Sequence, residues 1–301
     1  MPTPLGKSPA QDPFWLPLKV WEQILASDTT AFLAAYGARI RAERWGNALR
    51  WISPAPLLAP PPSPPPSLSW QPQTILWQEE TSPTATFLRG ESFHHEVTEL
   101  GLRYAIDLSP HIAPGLFPDQ RKNRLHLKSL RPTRLLNLFA HTCAFGVLAA
   151  SVGAETLNID SSSRSLARGK TNYQLNQLNG SSHRFWAEDV RRVLPRLARR
   201  GETFDAIILD PPTFAHGGRG RAFRVQRELE PLLLACFPLL SARGSLLLSI
   251  NQAQTSPTDL DSIVRDILQR EAFSAQILPS HRPEDIPAER MPSALWLIRQ
   301  D

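Results

Sequence analysis

A series of acids at the ends of apolar runs holds the residues of this chain that could do chemistry together. The clearest is Asp210, in the run Phe204-Asp205-Ala206-Ile207-Ile208-Leu209-Asp210-Pro211-Pro212-Thr213-Phe214. The apolar stretch predicts a strand covered on both faces, and the two prolines cannot continue a sheet ladder. Asp210 is therefore expected at the carboxyl edge of a parallel sheet, where open α/β folds place their ligands. Asp160, and Glu188 with Asp189, close two earlier runs of the same kind. Eighteen residues separate Thr142 from Asp160, the spacing of an acid that grips both hydroxyls of a ribose. Asp189 can accept from an adenine amino group. Surface acids at strand ends are common, so each alone says little; the series in register says more.

The elements that must position these acids alternate regularly. Strands are expected at 134–138, 156–160, 184–188, 206–209, 245–250, 274–278 and 294–298, with helices at 164–176, 190–200, 223–240 and 259–269. Such a βαβα series predicts a doubly wound sheet. Only a loop separates the last two strands. The first strand feeds the turn Phe139-Ala140-His141-Thr142-Cys143-Ala144-Phe145-Gly146. A dinucleotide-dependent dehydrogenase shares the acid geometry, but it wants a G-x-G-x-x-G turn there, which this sequence lacks. S-adenosylmethionine ranks above NAD as the cofactor.

Upstream, 28–50 has helical spacing through Phe32, Leu33, Tyr36 and Ile40, with Ser27 or Asp28 able to cap its start. Ser53 to Ser67 holds eight prolines in fifteen residues and reads as an extended linker unable to pack a core. Thr74 to Trp77 is β-like, and Glu96–Glu99 with Leu102–Leu108 predicts a hairpin about Leu100-Gly101. The expected domains are a helical N-terminal extension (1–52), a proline-rich linker (53–67), a hairpin region (68–115) and a catalytic domain (116–301).

The stretch from about Val97 to Ile298 resembles the class I large-subunit rRNA base methyltransferases, which methylate cytosine C5 or guanine N7. Three segments carry the resemblance. The hairpin with Gly115-Leu116-Phe117-Pro118-Asp119-Gln120-Arg121 is similar to the family's G-x-F-x-D-x-R motif. Leu136 to Thr142 is similar to its N-L-F-x-x-T loop, and Asp210-Pro211-Pro212-Thr213-Phe214 matches its D-P-P-x-F. The resemblance implies a Rossmann-like α/β fold with a seven-stranded doubly wound sheet whose final strand is inserted antiparallel. It implies S-adenosyl-L-methionine as cofactor. Phe139, His141, Thr142, Cys143, Ala144 and Phe145 would cradle its methionine part, Asp160 with Ser161 its ribose, and Asp189 its adenine. Asp119 and Arg121, preceded by Phe117, would lie over it.

Two departures from the family pattern bear on function. Cys143 and Ala144 stand where the family has glycine after the threonine, and a side chain there costs backbone freedom. Cytosine C5 chemistry needs a thiolate after the fifth strand, where this chain has Asn251-Gln252-Ala253-Gln254. The nitrogen route asks less. Asp210, Pro211 and Pro212 would orient the base, the acid and the following carbonyls accepting from an amino group. Phe214 would stack on the flipped base, although an ordinary core aromatic is its other reading.

The pI of about 9.6, with arginines dense from 184 to 227, permits an RNA partner. A solvated helix face explains the first six of them as well. Two cysteines without metal-ligand spacing argue against a disulfide framework or a metal site, and no apolar run has the length of a membrane span. A cytoplasmic methyltransferase acting on rRNA is expected. The alternatives are a methyltransferase-fold RNA-binding protein without catalysis and a methyltransferase of protein or small molecules.

Overall fold

The computed structural model describes residues 14–37, 40–57, 61–212, 225–251 and 256–301. Contacts divide the chain into two compact units, Met1–Pro118 and Asp119–Asp301.

The first unit is mostly β-structure. β1 (Phe14–Trp15), α1 (Leu18–Ala26), β2 (Ala31–Tyr36), β3 (Arg41–Trp45), β4 (Ala48–Ser53), β5 (Thr74–Glu79) and β6 (Ala85–Arg89) follow in chain order. The strands form a six-stranded sheet in sequential order. Every pairing is antiparallel except β4 with β5. A separate hairpin pairs β7 (His94–Glu99) with β8 (Leu102–Asp107). Its two-residue turn has φ 55° at Leu100 and 82° at Gly101, the primed geometry that matches strand twist.

Two expectations are corrected here. The helix foreseen over 28–50 is three strands, and Ser27 ends α1 instead of starting a helix. β2 is buried at every position from Ala31 to Ala35, so no alternation marks it, and Ala34 and Ala35 lie in a core with Trp21 and Trp51. Packing outweighs the helix preference of alanine. The proline-rich stretch joins β4 to β5 within one sheet and does not separate domains. Just past its prolines, Leu68 and Trp70 pack on the core of the first unit. Arg44 lies in that core, its guanidinium carbon 4.5 Å from the Trp70 ring centroid and 5.5 Å from those of Trp21 and Phe32. Burial pulls its pKa down to about 10.

The second unit opens with α2 (Arg121–Leu130) and continues as β9 (Arg134–Leu138), α3 (Ala144–Ser151), β10 (Glu155–Asp160), α4 (Ser163–Leu175), β11 (His183–Ala187), α5 (Val190–Arg199) and β12 (Phe204–Leu209). Then come α6 (Val225–Cys236), β13 (Leu240–Ile250), α7 (Pro257–Arg270), β14 (Ala275–Pro279) and β15 (Ser293–Arg299). Seven strands lie in the order β11-β10-β9-β12-β13-β15-β14. The first five are parallel, and β15 runs antiparallel between β13 and β14. The near-continuous apolar runs of β9, β12 and β13 are buried, as in sheets covered on both faces. Leu138, Ile159, Leu209 and Leu248 join Val193, Leu197, Leu233 and Val264 of α5, α6 and α7 in one core. Cys236 is part of it.

Strand order reverses between β9 and β12, and this switch point is where an open α/β sheet forms its ligand crevice. Register aligns its rim. Ile159 pairs with Leu138, Leu138 with Leu209, and Leu209 with Leu248. Asp160, Phe139, Asp210 and Ser249 therefore leave the sheet level with one another.

Candidate active site

The turn after β9 closes without glycine. Phe139, His141 and Cys143 take left-handed φ values of 55°, 46° and 62°, each a conformation that costs a non-glycine residue about 1–2 kcal/mol. The turn is held by what it touches. Ala140 N donates to Ile159 O at 2.9 Å, and Asn172 Nδ2 donates to Thr142 O at 3.0 Å. Cys143, at the N-cap of α3, is fully buried against Gly169 of α4, where an added Cβ would meet Sγ at 2.4 Å. Burial pushes the Cys143 thiol far up, so it acts as a packing group. Burial and Arg168 push His141 down to about 4, which keeps it neutral near pH 7. Ala144 begins α3, and Phe145 is buried in its first turn.

Asp160 is anchored by backbone. Its Oδ2 accepts from His141 N and its Oδ1 from Ser162 N, both at 2.8 Å. Each oxygen keeps a second lone pair for a ligand hydroxyl. Burial raises its pKa. Ser161 is exposed beside it. Asp189 is differently occupied. It caps α5 by accepting from Arg191 N at 2.9 Å and pairs with the Arg191 guanidinium at 2.6 Å, which holds its pKa down.

Asp210 is anchored by side chains. Gln120 Nε2 donates to Ser249 Oγ at 2.8 Å and reaches Asp210 Oδ2 at 3.4 Å, and Ser249 itself hydrogen-bonds Asp210. Gln120 is oriented in turn. Its Oε1 accepts from Asn123 Nδ2 at 2.7 Å, and Asn123 Oδ1 takes hydrogen bonds from Ser280 Oγ at 2.9 Å and Trp296 Nε1 at 3.0 Å. Burial and the neighbouring Asp119 push Asp210 up to about 7, against the Ser249 bond and Arg124, which favour its charged form. Burial likewise raises Asp119 to about 6, opposed by Arg124. Arg124 is buried between these acids and the Phe145 ring, whose centroid is 5.5 Å from its guanidinium carbon. Asp119 Oδ1 is shielded from solvent and accepts no hydrogen bond among the described residues. That is the state of an acceptor suited to a ligand donor.

The structure thus brings Asp119, Asp160, Asp210 and the 139–145 turn to one crevice. Arg121, expected beside Asp119, instead forms a buried ion pair with Asp285 in the segment between β14 and β15. Phe117 is exposed and belongs to the first unit. Pro211 is buried and Pro212 exposed, while Phe214 and the glycine- and arginine-rich loop after it lie outside the described residues. Sequence reasoning missed Gln120 and Ser249. Their signals were a polar residue inside the Asp119–Arg121 motif and a serine interrupting Leu246-Leu247-Leu248 at the strand end. Among the described residues no His, Cys, Asp or Glu cluster suits a metal, and no helix is long and apolar enough to cross a membrane.

A 3-2-1-4-5-7-6 sheet with an acid-proline-proline segment after its fourth strand and an acid at the end of its second defines a class I methyltransferase fold. The chain belongs to the S-adenosylmethionine-dependent methyltransferase family, whose model matches residues 67–289. It is 35% identical over 181 residues to ribosomal RNA large subunit methyltransferase I of Tolumonas auensis, covering 59% of this chain and 45% of that one. It is 32% identical over 184 residues to the protein of the same name from Aeromonas salmonicida, covering 60% and 46%. The chain thus matches a little under half the length of these curated relatives. In fold it is similar to a SAM-dependent methyltransferase from Agrobacterium tumefaciens, with a TM-score of 0.72 and 22% identity over 91% of each chain. The tRNA m1G37 methyltransferase of M. jannaschii gives 0.57 and 15% over 87% of this chain and 76% of that one.

Proposed function

We propose that this chain methylates a base of large-subunit rRNA, on a nitrogen of the guanine N7 type, with S-adenosylmethionine as donor. The observation that carries the proposal is the carboxylate of Asp210, desolvated at the switch point and aimed by Gln120 and Ser249. The relatives named above give the RNA class, and the sequence offers no cysteine after β13 for the C5 route.

The crevice suits the cofactor on its own geometry. Asp160 has a lone pair per oxygen for two ribose hydroxyls, and Asp119 Oδ1 is a shielded acceptor at the start of α2. Bound S-adenosylmethionine supplies an electrophilic methyl group. The protein's part is to bind, orient and exclude water. Asp210, in its charged form, accepts from a base amino group, and Pro211 and Pro212 stiffen the segment that carries it. Neither the acid nor its neighbours need become nucleophiles; the rate gain comes from holding the base nitrogen in line for attack.

The test is calorimetric titration with S-adenosylhomocysteine, wild type against Asp160→Ala, followed by mass spectrometry of rRNA from a strain lacking the protein. Micromolar affinity lost in the variant, with one methylated base missing from the rRNA, is the expected result. Absence of binding at millimolar ligand would sink the proposal.

A further inference from the structure

The outer face of α2 forms an open cleft of about 620 Å³ with the segment after β14. Lys122, Leu125, His126 and Lys128 line it from the helix, and His281 and Arg282 from the segment. Lys122, Leu125, His126 and Ser129 fall at the i, i+3, i+4, i+7 spacing of one helix face. The single acid of the lining, Glu284, is taken up by Lys122. Leu125 is 43% exposed, unusual for a leucine in a wall of cations. Arg282 fastens one guanidinium nitrogen to Ile286 O, which fixes the planar group while leaving it several donors. His126 packs edge-on to Trp296 with centroids 4.7 Å apart.

None of these side chains has a part in the crevice chemistry. The cleft begins two residues beyond Gln120, whose amide meets Asp210, and follows α2 from Lys122 to Ser129, roughly 10 Å. Lysine and arginine side chains that line one cleft with an exposed leucine and two imidazoles match a polyanion whose bases are splayed from its backbone. A membrane surface would want a convex or flat face, and a small anion would want converging donors; this site is a concave, open cleft.

We infer that this cleft binds the phosphate backbone of a single-stranded RNA segment flanking the target base. The inference rests on RNA being the substrate, and it assigns the second unit its own grip on that RNA. The experiment measures binding of a 20-mer oligouridine as a function of salt, for wild type, Lys128→Glu and the double variant Lys128→Glu/Arg282→Gln. Lys128 is exposed, so its variant is expected to fold, with an unchanged melting temperature and unchanged S-adenosylhomocysteine affinity as controls. The expected result is affinity at least about tenfold lower at 50 mM salt, and a log-log salt slope shallower by roughly 0.7 for the single and 1.4 for the double variant. Unchanged slopes would overturn the inference, as would competition by inorganic phosphate beyond that of potassium chloride at equal ionic strength. Methyl incorporation into large-subunit rRNA extracted from a strain lacking the protein separates the two readings. Wild-type methylation with unaltered variants defeats only the cleft, whereas failure of the wild type to methylate or bind RNA defeats both.

Discussion

Asp160 and Asp210 stand level at the carboxyl edge of one sheet, held by opposite means. Asp160 takes two backbone N–H groups, His141 and Ser162, and so depends on the shape of the main chain. Asp210 takes side chains, Ser249 and Gln120, which depend in turn on Asn123 and Trp296. Under the proposed function, the cofactor side of the crevice is therefore insensitive to most single side-chain changes and sensitive to anything that moves the backbone. The base side is the reverse. Such a division lets the base-binding half be altered one residue at a time while cofactor geometry persists.

The sharpest way to break the comparison is Asp210→Asn. The change keeps size and removes charge, so methyl transfer should fall by about 10² or more while S-adenosylhomocysteine binding stays within a few-fold. Equal loss of both, read by single-turnover methylation and calorimetry, would mean the two halves are not separable. Gly169→Ala attacks the other half through the backbone. Its Cβ would lie 2.4 Å from Cys143 Sγ and 3.3 Å from the Thr142 carbonyl carbon. Unfolding in urea should show a loss of about 1–3 kcal/mol, with weaker cofactor binding. A variant as stable as wild type would show that the turn can give.

The smallest effect lies in pH. Asp210 titrates near 7 in the folded protein against about 3.9 when unfolded, so the folded state binds the extra proton between these values. Its contribution to stability is full below pH 4 and is lost as pH rises through 7. Activity that needs the carboxylate rises over the same upper range. Ser249→Ala removes a bond to the charged form, so the midpoint of the kcat/KM profile should move upward, with the plateau rate within tenfold of wild type. A midpoint that stays or falls would remove Ser249 from the network.

Asp160 and Asp210 are legible in the sequence because each closes a mostly apolar run, and the strands of the second unit fall at the seven segments where the sequence places them. Gln120 and Ser249 are not legible as partners. Their meeting depends on the pairing of Leu209 with Leu248 and on where α2 lies, both long-range facts. In the first unit β2 is buried on both faces, and six residues rich in alanine offer no period to distinguish strand from helix. Arg121 shows a further limit. Nothing local tells that its partner is Asp285, 164 residues away.

The parallel pairing of β4 with β5 gives the proline-rich stretch a consequence for how the protein can be divided. Twenty residues, 54 to 73, connect the two strands, and their prolines restrict the conformations that the unfolded chain must surrender to bring those strands together. A protease cut there would leave β4 and β5 held together by non-covalent contacts alone, their ladder of hydrogen bonds among them. A fragment beginning after the cut would carry β5 with one bare edge, and its complement would carry β4 with another. The segment that most resembles a place to trim is thus where trimming would create two sticky strands from one closed pair.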